Sequence, residues 1–135
     1  MKIPPDVRFN EKLRLFLWRP RLILNESVIN KIIAYLAEEE AMSEKPFNRF
    51  SDTLAVDAVD LNFRYIFHVA LFRRLSYAGR SPVKSAILVQ SDALLRYAKV
   101  HALLTQGSPL VVKIFEERHA AAEWLDVPIE VLKPQ

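Results

Sequence analysis

Two short apolar runs constrain this chain of 135 residues more than any other feature. Residues 83–90 read VKSAILVQ and residues 110–115 read LVVKIF, each with a nearly unbroken apolar centre. Such runs are the pattern of inner strands, buried on both faces of an open sheet. Between them Ser91 stands at a helix N-cap, and Ala93, Leu94, Ala98, His101, Ala102 and Leu104 carry a helix towards Gly107. Two buried strands with a helix between them lie parallel, the helix serving as the crossover.

The upstream half follows the same logic. Val7 to Phe9 and Leu13 to Trp18 predict two strands joined at Asn10-Glu11, with Leu13, Leu15 and Leu17 alternating with Arg14, Phe16 and Trp18. Asn25 predicts an N-cap, and Val28, Ile29, Ile32, Ile33, Leu36 and Ala37 paint one helical stripe that ends at Glu38-Glu39-Glu40. Phe47 to Leu54 reads as a strand and Val56 to Val59 as a bend. Asp60 is the expected N-cap of a long helix from Leu61 to about Tyr77, which Gly79 stops. Glu116 and Glu117 open a short last helix with Ala121, Trp124 and Leu125 on one face, and Pro128 starts an extended tail over Ile129 to Leu132. The order β, β, α, β, α, β, α, β, α predicts one α/β domain over residues 1–135, with its core at about 8–126. Four to five strands form a mixed, mostly parallel sheet with about four helices.

Composition removes whole classes of function. Gly79 and Gly107 are the only glycines, so neither GxGxxG nor GxxxxGK[ST] can be written, nor a GxSxG nucleophile elbow. The absence of cysteine removes disulfides, thiolate metal sites and cysteine nucleophiles, and suits a reducing compartment. The start, MKIPPDVRF, lacks the apolar core of a signal peptide, and no uncharged run reaches the ~18 residues of a membrane span. A cytoplasmic, non-enzymatic protein without cofactor or metal is expected, and no membrane insertion. Residues 61–101 carry seven basic side chains against Asp92 alone. These charges are scattered over two helices, a turn and a strand, which suits a solvated face better than a nucleic-acid patch.

The candidate site residues gather around the bend. Asp52, Asp57 and Asp60 are expected near the carboxyl end of a parallel strand, where open α/β sheets place ligands. Asp60, Arg64 and His68 recur every four residues and are expected to share a face of the long helix. Arg73, Arg74, Arg80 and Lys84 suggest an anion-binding corner at that helix's end, although a helix C-terminus attracts cations in any case. His101 and His119 have no acid–base partner nearby in sequence. Phe16, Trp18, Tyr65 and Phe72 suggest an aromatic surface, and an edge at Leu13 to Trp18 suggests a homodimer.

The element order, a strand ending in Asp52, the segment AILVQSDALLRYAKVHALL and the closing VVKIFEERHAAAEWL resemble the STAS-like family, built on the sporulation anti-anti-sigma factor fold. The resemblance covers about residues 8–126 and rests on topology more than on a sharp motif. It implies a bacterial regulatory module that binds a protein partner. Regulatory members present a serine or threonine at the start of the helix after the third strand. Here that stretch reads Asp57-Ala58-Val59-Asp60, with Ala58 in place of the hydroxyl, while Ser51 and Thr53 belong to the strand. The chain looks more like the uncharacterised branch of the fold, for which lipid or small-ligand binding has been suggested. A small-ligand or lipid carrier using a cleft beside helix 61–77 is therefore the alternative reading.

Overall fold

The structure, a computed structural model, describes residues 3–135. Strands β1 (Val7–Asn10) and β2 (Leu15–Trp18) form the expected antiparallel opening pair. A short strand β3 (Leu22–Asn25) leads into helix α1 (Glu26–Met42). Then follow β4 (Asn48–Asp52), β5 (Val56–Asp60), α2 (Phe63–Ser76), β6 (Val83–Leu88), α3 (Asp92–Leu104) and β7 (Leu110–Phe115). Two helices, α4 (Arg118–Leu125) and α5 (Ile129–Leu132), close the chain. The main sheet has the order β1-β2-β4-β6-β7, and β2, β4, β6 and β7 run parallel. The mixed, mostly parallel α/β sheet read from the sequence is the one observed.

Period-two alternation along these strands gives the sheet two unlike faces. On one face Leu15, Leu17, Phe50, Ala86, Leu88 and Phe115 pack with Ala121, Ala122 and Leu125 of α4 and with Leu132. The other face carries Phe16 and Trp18, then Arg49, Ser51 and Ser85, and it is covered by α1, α2 and α3. Asp52 pins the carboxyl end of β4. Its Oδ2 accepts from Arg19 at 3.0 Å and from Arg118 at 2.6 Å, and its Oδ1 accepts from the Leu54 amide at 3.0 Å. One buried carboxylate thus joins the end of β2 to the start of α4.

Three expectations are corrected. The bend at Val56 to Val59 is part of β5, which pairs in parallel with β3 in a separate two-stranded sheet. Leu24, Val56 and Val59 turn inward to a cluster with Val89 and Leu94, so VDAVD is a half-buried strand whose aspartates point to solvent. Its partner lies over 30 residues earlier, and local turn chemistry carries no trace of it. Second, the tail is not extended. Pro128 precedes the first turn of α5, and Leu132 is fully buried under the sheet, with Arg19 donating to its carbonyl. Third, Leu13 to Trp18 is no edge, because β2 lies between β1 and β4.

Replacing Leu132 by alanine is expected to cost about 3 kcal/mol, the usual effect of emptying a buried leucine site. Urea unfolding measures it, and a loss near zero would mean that the last turn does not pack.

Candidate functional site

Beneath α1, α2 and α3 lies a cavity of about 120 Å³. Its floor is the sheet face of Phe16, Trp18, Arg49, Ser51, Ser85 and Ile87. Its walls are Leu24 with Ile29, Ile32, Ile33 and Leu36 of α1, Ile66 and Val69 of α2, and Leu94, Tyr97 and Ala98 of α3. The space has a local cause. Where the opposite face puts Phe50 and Leu88, this face puts serines, whose side chains do not reach the helix layer. Helix α2 packs chiefly on α3, with Phe63 against Tyr97 at 4.8 Å between ring centres, so Ile66 and Val69 face the gap instead of filling it.

One end of this apolar space is basic. Arg49 of β4 is buried, held between the rings of Phe47 and Tyr77. It donates to the Phe47 carbonyl at 3.1 Å and to the Tyr77 hydroxyl, which in turn donates to Glu40 at 2.7 Å. Glu40 also pairs with Arg80 at 3.2 Å and, more loosely, with Arg49 at 3.7 Å. Arg73 of α2 lines the cavity and has no carboxylate partner among the described residues; its Nη1 lies 3.3 Å from His101 Nε2. Burial lowers the Arg73 pKa from its ordinary value, with Tyr77 opposing and Arg49 adding to the effect. Burial, then the charge of Arg73, pushes the His101 imidazole down to about 3. His101 is therefore neutral at pH 7. A guanidinium can only donate, so Nε2 is the acceptor and the proton sits on Nδ1. That N–H is buried and finds no protein partner, and neither does Nε of Arg49.

The residues singled out in the sequence are distributed differently. Asp52 is buried in its pair of arginines at the end of the main sheet, whereas Asp57 and Asp60 stand exposed on β5 in the small sheet. The three do not form one carboxylate cluster, and no group able to hold a metal ion forms among the described residues. Asp60 is not the helix cap; Asn62 is, its Oδ1 accepting from the Tyr65 amide at 2.8 Å. Arg64 and His68 share the exposed side of α2, but Asp60 lies outside that helix. The supposed basic corner disperses. Arg74 donates to the carbonyls of Leu104 and Gln106, Arg80 goes to Glu40, Lys84 donates to the Trp124 carbonyl, and Arg73 alone of the four reaches the cavity. Phe16 is core and Trp18 is half-buried with its indole N–H on Asp6, so no four-ring surface forms. The sequence reading passed over Arg49, read only as part of a strand, and gave His101 no partner. The available signal was a lone arginine on the same strand face as Phe47 and Ser51, in a strand between two others.

The cap assignment predicts that Asn62→Ala costs about 1 kcal/mol and that Asp60→Ala costs less than about 0.5, measured by urea unfolding. His101 gives a second prediction. Its folded pKa lies below the unfolded value of about 6.5, so the unfolded chain binds the extra proton and stability falls as pH drops from there towards 3. Between pH 7 and pH 5 the wild type should lose about 2 kcal/mol more than His101→Gln. Equal pH profiles would show that the imidazole is not held neutral.

No family model matches the chain, and no curated protein matches it. Among solved structures it is similar to an uncharacterized protein from the DUF3478 family with a SpoIIAA-like fold, from Shewanella loihica PV-4. The two share 16% identity over 82% of this chain and 83% of that one, with a TM-score of 0.53. Identity at that level speaks for the fold alone. The STAS-like resemblance read from the element order is thus matched in three dimensions: this chain has a SpoIIAA-like fold.

Proposed function

We propose that this protein is a non-enzymatic binding module that holds a small ligand in the cavity beneath α2. The observation that carries this reading is the cavity itself: an apolar space between the sheet and three helices, with buried cationic and N–H donors at one end. A catalytic role has less support, since an imidazole with a pKa of about 3 is a poor base and no nucleophile hydrogen-bonds to it. The fold's usual phosphoacceptor place also offers no hydroxyl. Ala58 is exposed on β5, and Thr53 spends its hydroxyl on the Leu88 carbonyl at 2.7 Å. Occupancy of the cavity, rather than phosphorylation, is then the event that such a module would report.

A protein-binding role is the second reading, and a different observation favours it. Phe67, Leu71, Phe72 and Leu75 on the outer side of α2 are 47–76% exposed, beside Arg64, His68 and Arg74. The helix has no acidic residue, so pairing it with its own copy would set cations against cations. An acidic, partly apolar protein surface in the cytoplasm suits it better. A homodimer, if formed, then uses the outer strands β1 or β7.

The ligand reading is tested by filling the cavity. Ala98→Leu adds carbons to its α3 wall and should abolish the quenching of Trp18 fluorescence by a small neutral aromatic such as benzyl alcohol, with thermal stability kept or raised. Binding that survives the filled cavity would reject the site. For self-association, sedimentation velocity should give a two-chain species; one chain at every concentration sets the homodimer aside.

A further inference from the structure

The polar end of the cavity is unbalanced in one direction. It presents the Arg73 guanidinium, the Nδ1–H of His101 and the Nε–H of Arg49, and the latter two are buried without an acceptor. None of the residues lining the cavity is acidic. Of the other polar side chains there, the Tyr97 hydroxyl donates to the Leu61 carbonyl at 2.9 Å and Thr53 donates to Leu88, while Ser51 and Ser85 on the floor carry hydroxyls that can donate as well as accept. The nearest carboxylate, Glu40, is engaged by Tyr77, Arg80 and Arg49. A set of buried donors without acceptors is costly in the free protein. A ligand that only accepts would relieve it, and a carboxylate accepts at both oxygens without donating. Arginine offers that group a fork of matching geometry.

Size narrows the class further. A dry cavity of about 150 Å³ lined by leucine, isoleucine and phenylalanine admits benzene. The space here is about 120 Å³ and its apolar walls are of the same residue types, so it takes no more than one ring or a short branched chain inside it. We propose that the ligand is a compact organic monoanion of arylcarboxylate size. Its carboxylate sits against Arg73, His101 Nδ1 and Arg49, and its ring lies between Ile66, Val69 and Leu94. This rests on the reading of the cavity as a binding site and adds the charge and size of what it binds. The anion also supplies the counter-charge that the partly buried Arg73 lacks, in keeping with the downward pressure on its pKa.

Three isosteric probes test it on the intact protein by amide NMR titration: benzoate, benzyl alcohol and benzylamine. Benzoate should bind about tenfold or more tightly than benzyl alcohol, benzylamine should not bind, and the shifted amides should include Val69, Leu94 and Ala98. Arg73→Gln should erase the preference for benzoate while leaving benzyl alcohol binding in place. Equal binding of benzoate and benzyl alcohol to the wild type overturns the anion assignment and leaves the cavity as a site. No binding by any probe overturns both. Tighter binding of hexadecanoate than of benzoate overturns the size assignment. Should Arg73→Gln fail to fold, Arg73→Lys keeps the charge without the fork and should weaken benzoate alone; unchanged benzoate affinity there counts against the assignment.

Discussion

The alternation along β4 and β6 is the constraint from which the rest of the molecule follows. Both strands lie inside a parallel sheet and must be covered on both sides. Towards α4 and α5 they turn Phe50, Ala86 and Leu88, which close against Ala121, Ala122, Leu125 and Leu132. Towards the other helices they turn Arg49, Ser51 and Ser85. Serines at the centre of a sheet leave unfilled the height that leucine or phenylalanine would occupy. Helix α2 is therefore supported sideways, by α3, more than from below.

Arg49 makes that arrangement possible. A buried guanidinium is tolerated only when paired and hydrogen-bonded. It meets the condition by recruiting the Phe47 carbonyl, the Tyr77 hydroxyl and Glu40, and by lying against two aromatic rings. Glu40 belongs to the end of α1 and Tyr77 to the end of α2, so one strand residue ties both helices to the sheet at the same place. The network pairs Arg49 and Arg80 with Glu40, whereas Arg73 feels Tyr77 and the Glu40 charge without forming an ion pair among the described residues. An excess of positive charge and of N–H donors is thereby left at the inner end of an apolar space. The arrangement comes from packing, without any sequence motif.

Much of the fold was legible because its signals are local. The runs at 83–90 and 110–115, the caps at Asn25 and Ser91 and the glycine at 79 each act within a few residues, and each stands where expected. The failures were of the opposite kind. The pairing of Val56–Asp60 with Leu22–Asn25 and the burial of Leu132 depend on residues far away in the chain. Asp60 looked like a cap because aspartate before an apolar helix often is one, yet Asn62, two residues on, holds the role. The site was less legible than the fold. His101 and Arg73 are 28 residues apart, on neighbouring helices, and only the packing of α2 against α3 brings them to 3.3 Å.

By itself the sequence determined the α/β class, the parallel crossovers and the absence of phosphate-loop and thiol chemistry. These depend on periodicity and on which residue types are present, and neither needs tertiary information. Only the tertiary structure decided that Asp52 is a buried anchor for Arg19 and Arg118, that Asp57 and Asp60 face water, and that Arg49, Arg73 and His101 converge on one cavity. The physical reason is that the cost of burying a charge, and its compensation, are set by neighbours from other elements. Those neighbours exist as neighbours only after the sheet has closed.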